Sequence, residues 1–185
     1  MGPPLKKPER IKQQYSLASR ESEFEAFQVC KNEGIGVLPW SPLKGGLLTG
    51  KVKRGEKPTE GRVGWVASDE SRKMQSHPVW HETPDRVFDV IDLAEKIGKK
   101  YDRSIAQVAI RWVLQRDVTT SVIIGARTLE QLDQNMAVND WSLTADEMKQ
   151  LDDASALDVN YPYLTINLFN ADRVNGCTND YYVAF

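Results

Sequence analysis

The sequence predicts an α/β fold in which a few parallel strands are covered by helices. Three observations point there. Short apolar or β-branched runs, "IKQQYSL", "IGVLPW" and "TTSVIIGA", alternate with amphipathic helical stretches along the chain. Capping-box sequences open three of those stretches: Ser104-Ile105-Ala106-Gln107, Thr128-Leu129-Glu130-Gln131 and Thr144-Ala145-Asp146-Glu147. Strand, helix, strand, helix is the grammar of a parallel sheet with helices on its faces.

Taken in order, "IKQQYSL" reads as a strand. Ser19 then caps a helix that carries Phe24, Phe27 and Val29 and stops at Gly34. "IGVLPW" is a buried strand. Residues from Lys51 to Thr83 are rich in glycine, proline and charge and read as a long connection, a lid or flexible loop. Thr83 before Pro84 starts a helix with the stripe Val87, Phe88, Ile91, Leu93, Ala94, closed by Gly98 beside Lys99 and Lys100. The helix "IAQVAIRWVLQRD" is apolar enough to pack tightly. "TTSVIIGA" is a third strand, "EQLDQNMAV" a helix, and the last helix runs to about Ala154, followed by an irregular tail. About three strands are countable, too few to close an eight-stranded (β/α)₈ barrel.

The composition narrows the partner. Lys plus Arg number 24 against 26 Asp plus Glu, a net charge of -2. That balance gives no electrostatic case for nucleic acid or a membrane surface and favours a small-molecule partner. A chain of 185 residues is long enough for one ordinary core without disulfides or metal. Cys30 and Cys177 fit neither a metal spacing nor a disulfide framework, and are expected to be free thiols. "MGPPLKKPER" lacks the apolar core of a signal peptide and no window approaches a membrane span, so a cytoplasmic location is expected. His77 and His81 in "HPVWH" stand four apart, but Pro78 opposes the helix that would align them as metal ligands. "KVKRGEK" is a short basic cluster suited to a cofactor lid or a solvated surface.

One stretch raises a sharper question. "GGLLTGK", Gly45 to Lys51, reads G-x-x-x-x-G-K but is followed by Val52 where a phosphate-binding P-loop needs Ser or Thr to hold Mg²⁺. Gly55 and Pro58 also deny it the helix whose N-terminus would face the phosphates. The stretch nonetheless follows a strand, where α/β folds bind ligands, and its glycines let backbone N–H groups approach an anion. A second place is stronger. "SVIIG" ends at Gly125, Arg127 follows, and Thr128 opens a helix whose free N–H groups point back over the strand. A guanidinium there suits a phosphate monoester, because it can bind two oxygens at once. Two anion places on consecutive strands point to a dinucleotide.

The segments "QYSLASRESEF", "GIGVLPWSPLKGGLLTGK", "AQVAIRWVLQ" and "SVIIGARTLEQLDQN" together resemble the C-terminal part of the aldo-keto reductases, in the family's order and spacing. The branch is the one that includes bacterial and plant reductases and the potassium-channel β subunits. The likeness runs from about Gln13 to Ala154. It implies the C-terminal part of a (β/α)₈ TIM barrel binding NADPH. By resemblance Trp40 stacks on the nicotinamide, and Ser41, Pro42, Leu43, Lys44 and Gly45 follow the pyrophosphate. Lys51 and Arg62 match basic residues near the cofactor. Gly125, Arg127, Gln131, Gln134 and Asn135 match positions that hold the 2′-phosphate and adenine. The P-loop likeness is then coincidence.

Departures from the family bear on activity. The tyrosine that gives the proton, its lysine, and the aspartate and histidine around them belong to the family's first half, ahead of this sequence. No catalytic residue is therefore assigned. The family's glutamine three residues before the tyrosine of "QYSL" is replaced by Lys12, so residues 1–12 read as a non-family segment, 13–155 as a partial barrel domain and 156–185 as a tail. Without a poised acid, a factor of about 10²–10⁴ in rate is missing. The expectation is an NADPH-dependent reductase by descent, inactive alone and weak in cofactor affinity. The alternative is a non-catalytic NADPH-binding or regulatory module, and a third reading is a truncated product without a function of its own. About three strands would leave two open edges and an uncovered apolar face, so self-association or a complementing chain is expected.

Overall fold

The computed structural model describes residues 8–75 and 83–170. Strand β1 (Arg10–Gln14) pairs in parallel with β2 (Gly36–Trp40), from Arg10 opposite Gly36 to Gln14 opposite Trp40. Helix α1 (Ala26–Glu33) makes the crossover and ends at Gly34, whose φ of 62° is the left-handed turn expected there. Ser19 does not cap it. A 3₁₀ turn (Glu21–Glu23) intervenes, Glu25 stands at the cap, and the Ser19 hydroxyl instead accepts a hydrogen bond from the Lys44 ammonium.

The expected third strand is only partly realised. Residues 118–123 run parallel along the free edge of β2, with Val37 N–H donating to Val118 O, Thr120 N–H to Val37 O and Ile123 N–H to Pro39 O. They make two isolated bridges, Val37 to Thr119 and Trp40 to Ile123. The partner advances one residue further than β2 between these bridges, which is a bulge. Pro39 lies between them and has no N–H to give the ladder. One proline inside "IGVLPW" therefore explains why a β-branched run is not a continuous strand.

Within the stretch from Lys51 to Thr83, residues 51–75 are more ordered than a loop. They hold α2 (Gly61–Ala67) and α3 (Glu70–Gln75), and Val52, Val63, Val66 and Ala67 are buried. His77 and His81 lie outside the described residues, as does Cys177, and among the described residues no cluster has the make-up of a metal site. Cys30 is a buried thiol. Helix α4 (Asp85–Tyr101) buries Val87, Phe88, Ile91 and Ala94 as its stripe predicts, with Leu93 partly buried. It runs past Gly98 and ends at Asp102, which takes a left-handed φ of 53° and donates its N–H to Gly98 O. Gly98 serves close packing instead: a Cβ there would lie 2.3 Å from Arg103 O.

Helix α5 (Ile105–Leu114) has the full capping box of Ser104 and Gln107, and α7 (Ala145–Ala154) that of Thr144 and Glu147. Helix α6 (Leu129–Met136) lies between them, and α8 (Tyr163–Asn170) gives regular structure to part of the tail expected to be irregular. No helix among the described residues is long and apolar enough to cross a membrane. The core lies on one face of the sheet, where Tyr15, Phe27, Val37, Val90, Ile97, Val108, Trp112 and Leu151 are almost wholly buried.

Candidate functional site

Beyond the C-terminal ends of β2 and the 118–123 segment lies a cleft of about 940 Å³. One wall grows from β2. After Trp40 the chain turns sharply, with left-handed φ values at Ser41 (60°), Lys44 (47°), Gly45 (65°) and Gly46 (103°). The turn is fixed by Gly46 N–H and Leu48 N–H, which both donate to Leu43 O, and by the Thr49 hydroxyl, which donates to Gly46 O. The start of α2 lies directly against it. A Cβ at Gly61, where φ is +68°, would lie 2.5 Å from Gly45 O, so only glycine permits this approach.

The opposite wall comes from the end of the 118–123 segment and from α6. The Thr128 hydroxyl accepts from Gln131 N–H and caps α6. Gln131 does not complete the expected box; its Oε1 accepts from Arg127 N–H instead, which ties Arg127 to the first turn of the helix. Asn135 is buried and donates to Gly125 O at 3.4 Å, and Gln107 of α5 donates to Gln134 O at 2.9 Å. The segment before α6 is thus held at both ends by side chains. No heavy atom lies within 4 Å of the position a Gly125 Cβ would take, so the backbone there is open to a ligand.

The structure brings most of the anticipated residues together. Ser41, Pro42, Leu43, Gly45, Lys51 and Arg62 line one side, and Gly125, Arg127, Gln131, Gln134 and Asn135 the other. Two are placed differently. Trp40 is 38% exposed at the end of β2, beside Ile123, which does line the cleft. Lys44 is buried, and its ammonium reaches Ser19 rather than the cleft. Burial pushes its pKa down to about 8, against an opposing pull from Glu21.

Other lining residues were not legible beforehand. Ser104 and Ala106 at the start of α5 and Ile110 in its middle contribute to the lining, and Glu60 stands among the cations. Glu60 accepts from the Lys51 ammonium at 2.7 Å. Its pKa is lowered by that bond and by the charge of Lys51, with a smaller contribution from Arg127 across the cleft. Nothing in the spacing of Lys51 and Glu60 announces their pairing. The intervening loop decides it.

The described tyrosines do not serve this cleft. Tyr15 is fully buried, donates to Glu23 and accepts from Arg116 Nε at 2.8 Å; burial first, then Glu23, raise its pKa well above the usual phenol value, against Arg116 and Arg20. Tyr101 donates to Glu147 and Tyr163 to Glu25, each at 2.7 Å. Among the described residues no tyrosine, histidine or aspartate lines the cleft.

The Aldo/keto reductase family model matches residues 6–156. An uncharacterized oxidoreductase of Bacillus subtilis, YrpG, is 33% identical over 75% of this chain and 38% of its own length. A probable voltage-gated potassium channel subunit beta of Arabidopsis thaliana is 30% identical over 76% of this chain and 39% of its own. An NADH-specific methylglyoxal reductase of Escherichia coli is 28% identical over 80% of this chain and 42% of its own. The chain thus spans well under half the length of these relatives. Two glycine-shaped walls facing one another across the strand ends, on a sequence matched to the family over most of its length, make this chain a member of the Aldo/keto reductase family of oxidoreductases.

Proposed function

We propose that the cleft binds NADPH and that the chain carries the cofactor-binding part of a carbonyl-reducing oxidoreductase. The observation that supports it is the convergence of Arg127, Lys51 and Arg62 on one cleft from two separate strand ends, with the capped start of α6 on the same wall. A guanidinium, an ammonium and free helix N–H groups are the groups that polyphosphates require. In this reading the open backbone at Gly125 and the Arg127 side chain take the 2′-phosphate end. The glycine turn after β2 lies along the pyrophosphate, and Trp40 at the strand end stacks on the nicotinamide. When bound, the reduced nicotinamide supplies a hydride. The residues of this chain bind and orient it.

Titration of the full chain with NADPH, followed by the fluorescence of the dihydronicotinamide, tests the reading. Saturable binding is expected, and Arg127→Ala should weaken it about tenfold or more, since a charge-assisted hydrogen bond contributes about 1.5–3 kcal/mol. NADH should bind less tightly than NADPH and be indifferent to Arg127. An NADH affinity equal to that of NADPH would remove the 2′-phosphate role of Arg127. No binding of either would overturn the proposal.

Reduction also needs a proton donor, and no tyrosine or histidine among the described residues lines the cleft. The chain alone is proposed to bind cofactor without consuming it in the presence of aldehyde. Aldehyde-dependent oxidation of NADPH by the purified chain would refute this. A non-catalytic role as a cofactor-binding partner gains support from the end of the sheet, where the bridged Trp40 and Ile123 present an apolar face, 38% and 40% exposed. Self-association, or a second chain supplying further strands, would cover that face. Size-exclusion chromatography with light scattering should then report an assembly; a stable, cooperatively unfolding monomer would count against it.

A further inference from the structure

We propose that Glu60 is an internal counter-anion of the cleft, an acidic group that occupies Lys51 and faces Arg127 until an incoming phosphate displaces it. The inference rests on the phosphate-binding reading above and adds a residue that sets how tightly, and at what ionic strength, the phosphate is held.

Four observations carry it. Glu60 and Lys51 both line the cleft, and the ammonium donates to Glu60 Oε2 at 2.7 Å. Glu60 stands at the N-cap of α2 with its backbone carbonyl accepting from Gly64 N–H, yet its side chain makes no capping bond; the carboxylate turns away from its own helix to reach Lys51. The position is held by backbone. Gly61 lies against Gly45 with no room for a Cβ, and a Cβ at Gly64 would come within 2.4 Å of the Thr59 carbonyl carbon, so the chain on either side of Glu60 is closely packed. Last, Arg127, on the opposite wall, draws on the same carboxylate through space. Glu60 therefore lies in the field of cations from both walls, whereas Glu130, the other acidic lining residue, sits on the Arg127 wall and accepts from Gln134 Nε2 at 3.5 Å; a phosphate entering the cleft needs those same cations.

The consequence is a competition inside the site. A phosphate must break the Lys51–Glu60 pair and tolerate the carboxylate left beside it. Ligands with more negative charge gain more from Lys51 and are opposed more by Glu60, whereas an uncharged nucleoside is indifferent to both. The pair is half exposed, so the competition is modest and fades as salt screens it.

Calorimetric titration of the full chain with adenosine 2′,5′-bisphosphate, alongside adenosine as an uncharged control, tests the proposal in wild type, Glu60→Gln and Arg127→Ala. Glu60→Gln keeps the backbone cap and should bind the bisphosphate about two- to fivefold more tightly at low salt, the range expected when a surface ion pair is released. That gain should shrink toward unity in 1 M salt, with adenosine affinity unchanged. In a Lys51→Met background the same substitution should gain less. Unchanged or weaker bisphosphate binding by Glu60→Gln, with wild type binding and Arg127→Ala impaired, would overturn this proposal and leave the phosphate-site reading standing. An equal gain for adenosine would also overturn it, because the effect would then be steric. If neither wild type nor Glu60→Gln binds the bisphosphate, the phosphate-site reading falls and this inference falls with it.

Discussion

The helix-covered face of the sheet and the cleft at its C-terminal end are built from different segments and treat charge in opposite ways. Under the helices, Trp112 is completely buried, with the guanidinium carbons of Arg20 and Arg116 5.5 and 4.5 Å from its ring centroid and its indole N–H donating to Asp152. Arg20 binds Glu23 through two nitrogens, both at 2.9 Å, and also reaches Asp152 O and the Ser155 hydroxyl. Arg116 joins Tyr15, Glu23 and Asp152. Every charge there is partnered, so the network ties the connection between β1 and α1 to α5 and α7. In the cleft, Arg127 is exposed, Lys51 and Glu60 are half exposed, and the backbone at Gly125 stands open. The lesson is a division of labour. Satisfied charges hold the fold, and the cleft charges stay accessible to solvent.

This comparison can be broken most severely at Trp112. Replacing it with alanine should cost about 3–5 kcal/mol, as for other buried aromatic truncations, and also removes the plate between two arginines. Urea denaturation should show a large fall in midpoint or an unfolded protein. Glu23→Gln comes next, at about 3 kcal/mol, because it leaves Arg20 and Arg116 buried with too little negative charge. It also carries a pH signature. Burial works to raise the Glu23 pKa, but the hydrogen bond and charge of Arg20, with Arg116 and Tyr15, hold it below the ordinary 4.5. A depressed carboxyl contributes stability that is present above the unfolded value and lost as pH falls through the folded one. Wild type should therefore lose more stability than Glu23→Gln when pH drops below about 4.5.

Gly61→Ala tests the cleft side. It forces a side chain into left-handed backbone against Gly45 O, and should cost about 1–3 kcal/mol while weakening NADPH binding by pushing the start of α2, with Lys51's partner Glu60 and with Arg62, away from the glycine turn. Lys44 sharpens the boundary between the regions, since it follows the cleft turn yet is buried. Burial lowers its pKa to about 8, so between pH 8 and the ordinary lysine value of 10.5 the unfolded chain holds the proton that the folded chain has released. Stability of wild type relative to Lys44→Met should rise across that window and be flat below it, as followed by thermal denaturation. The smallest effect belongs to Arg127→Ala. Its side chain is exposed, so stability should stay within about 0.5 kcal/mol of wild type while cofactor affinity falls.

Much of the helical structure is readable from local chemistry. Ser104 and Thr144 open helices where their boxes predict, and Gly34 ends α1. The readings that changed depend on contacts between distant residues. Gly98 looks like a stop but serves a close approach to Arg103, and Ser19 looks like a cap but receives Lys44. For the cleft, the glycine turn and Arg127 with Thr128 are visible because positive-φ turns and helix caps are local features of the backbone. Glu60 is not, because its pairing with Lys51 depends on how Gly61 fits against Gly45.

The sequence by itself determined the α/β grammar, the crossover through α1, the starts of α5, α6 and α7, and the glycine turn and the Arg127–Thr128 pair at the strand ends. Those features follow from dihedral preference, capping and short-range charge, all of which act within a few residues. Only the tertiary structure decided that "TTSVIIGA" would be a bulged, proline-interrupted neighbour of β2, that Lys44 would turn inward, and that Glu60 would stand between cations from two walls. Each of those outcomes comes from packing between segments remote in the chain, where a contact of one Cβ or one missing N–H settles which partner a side chain meets.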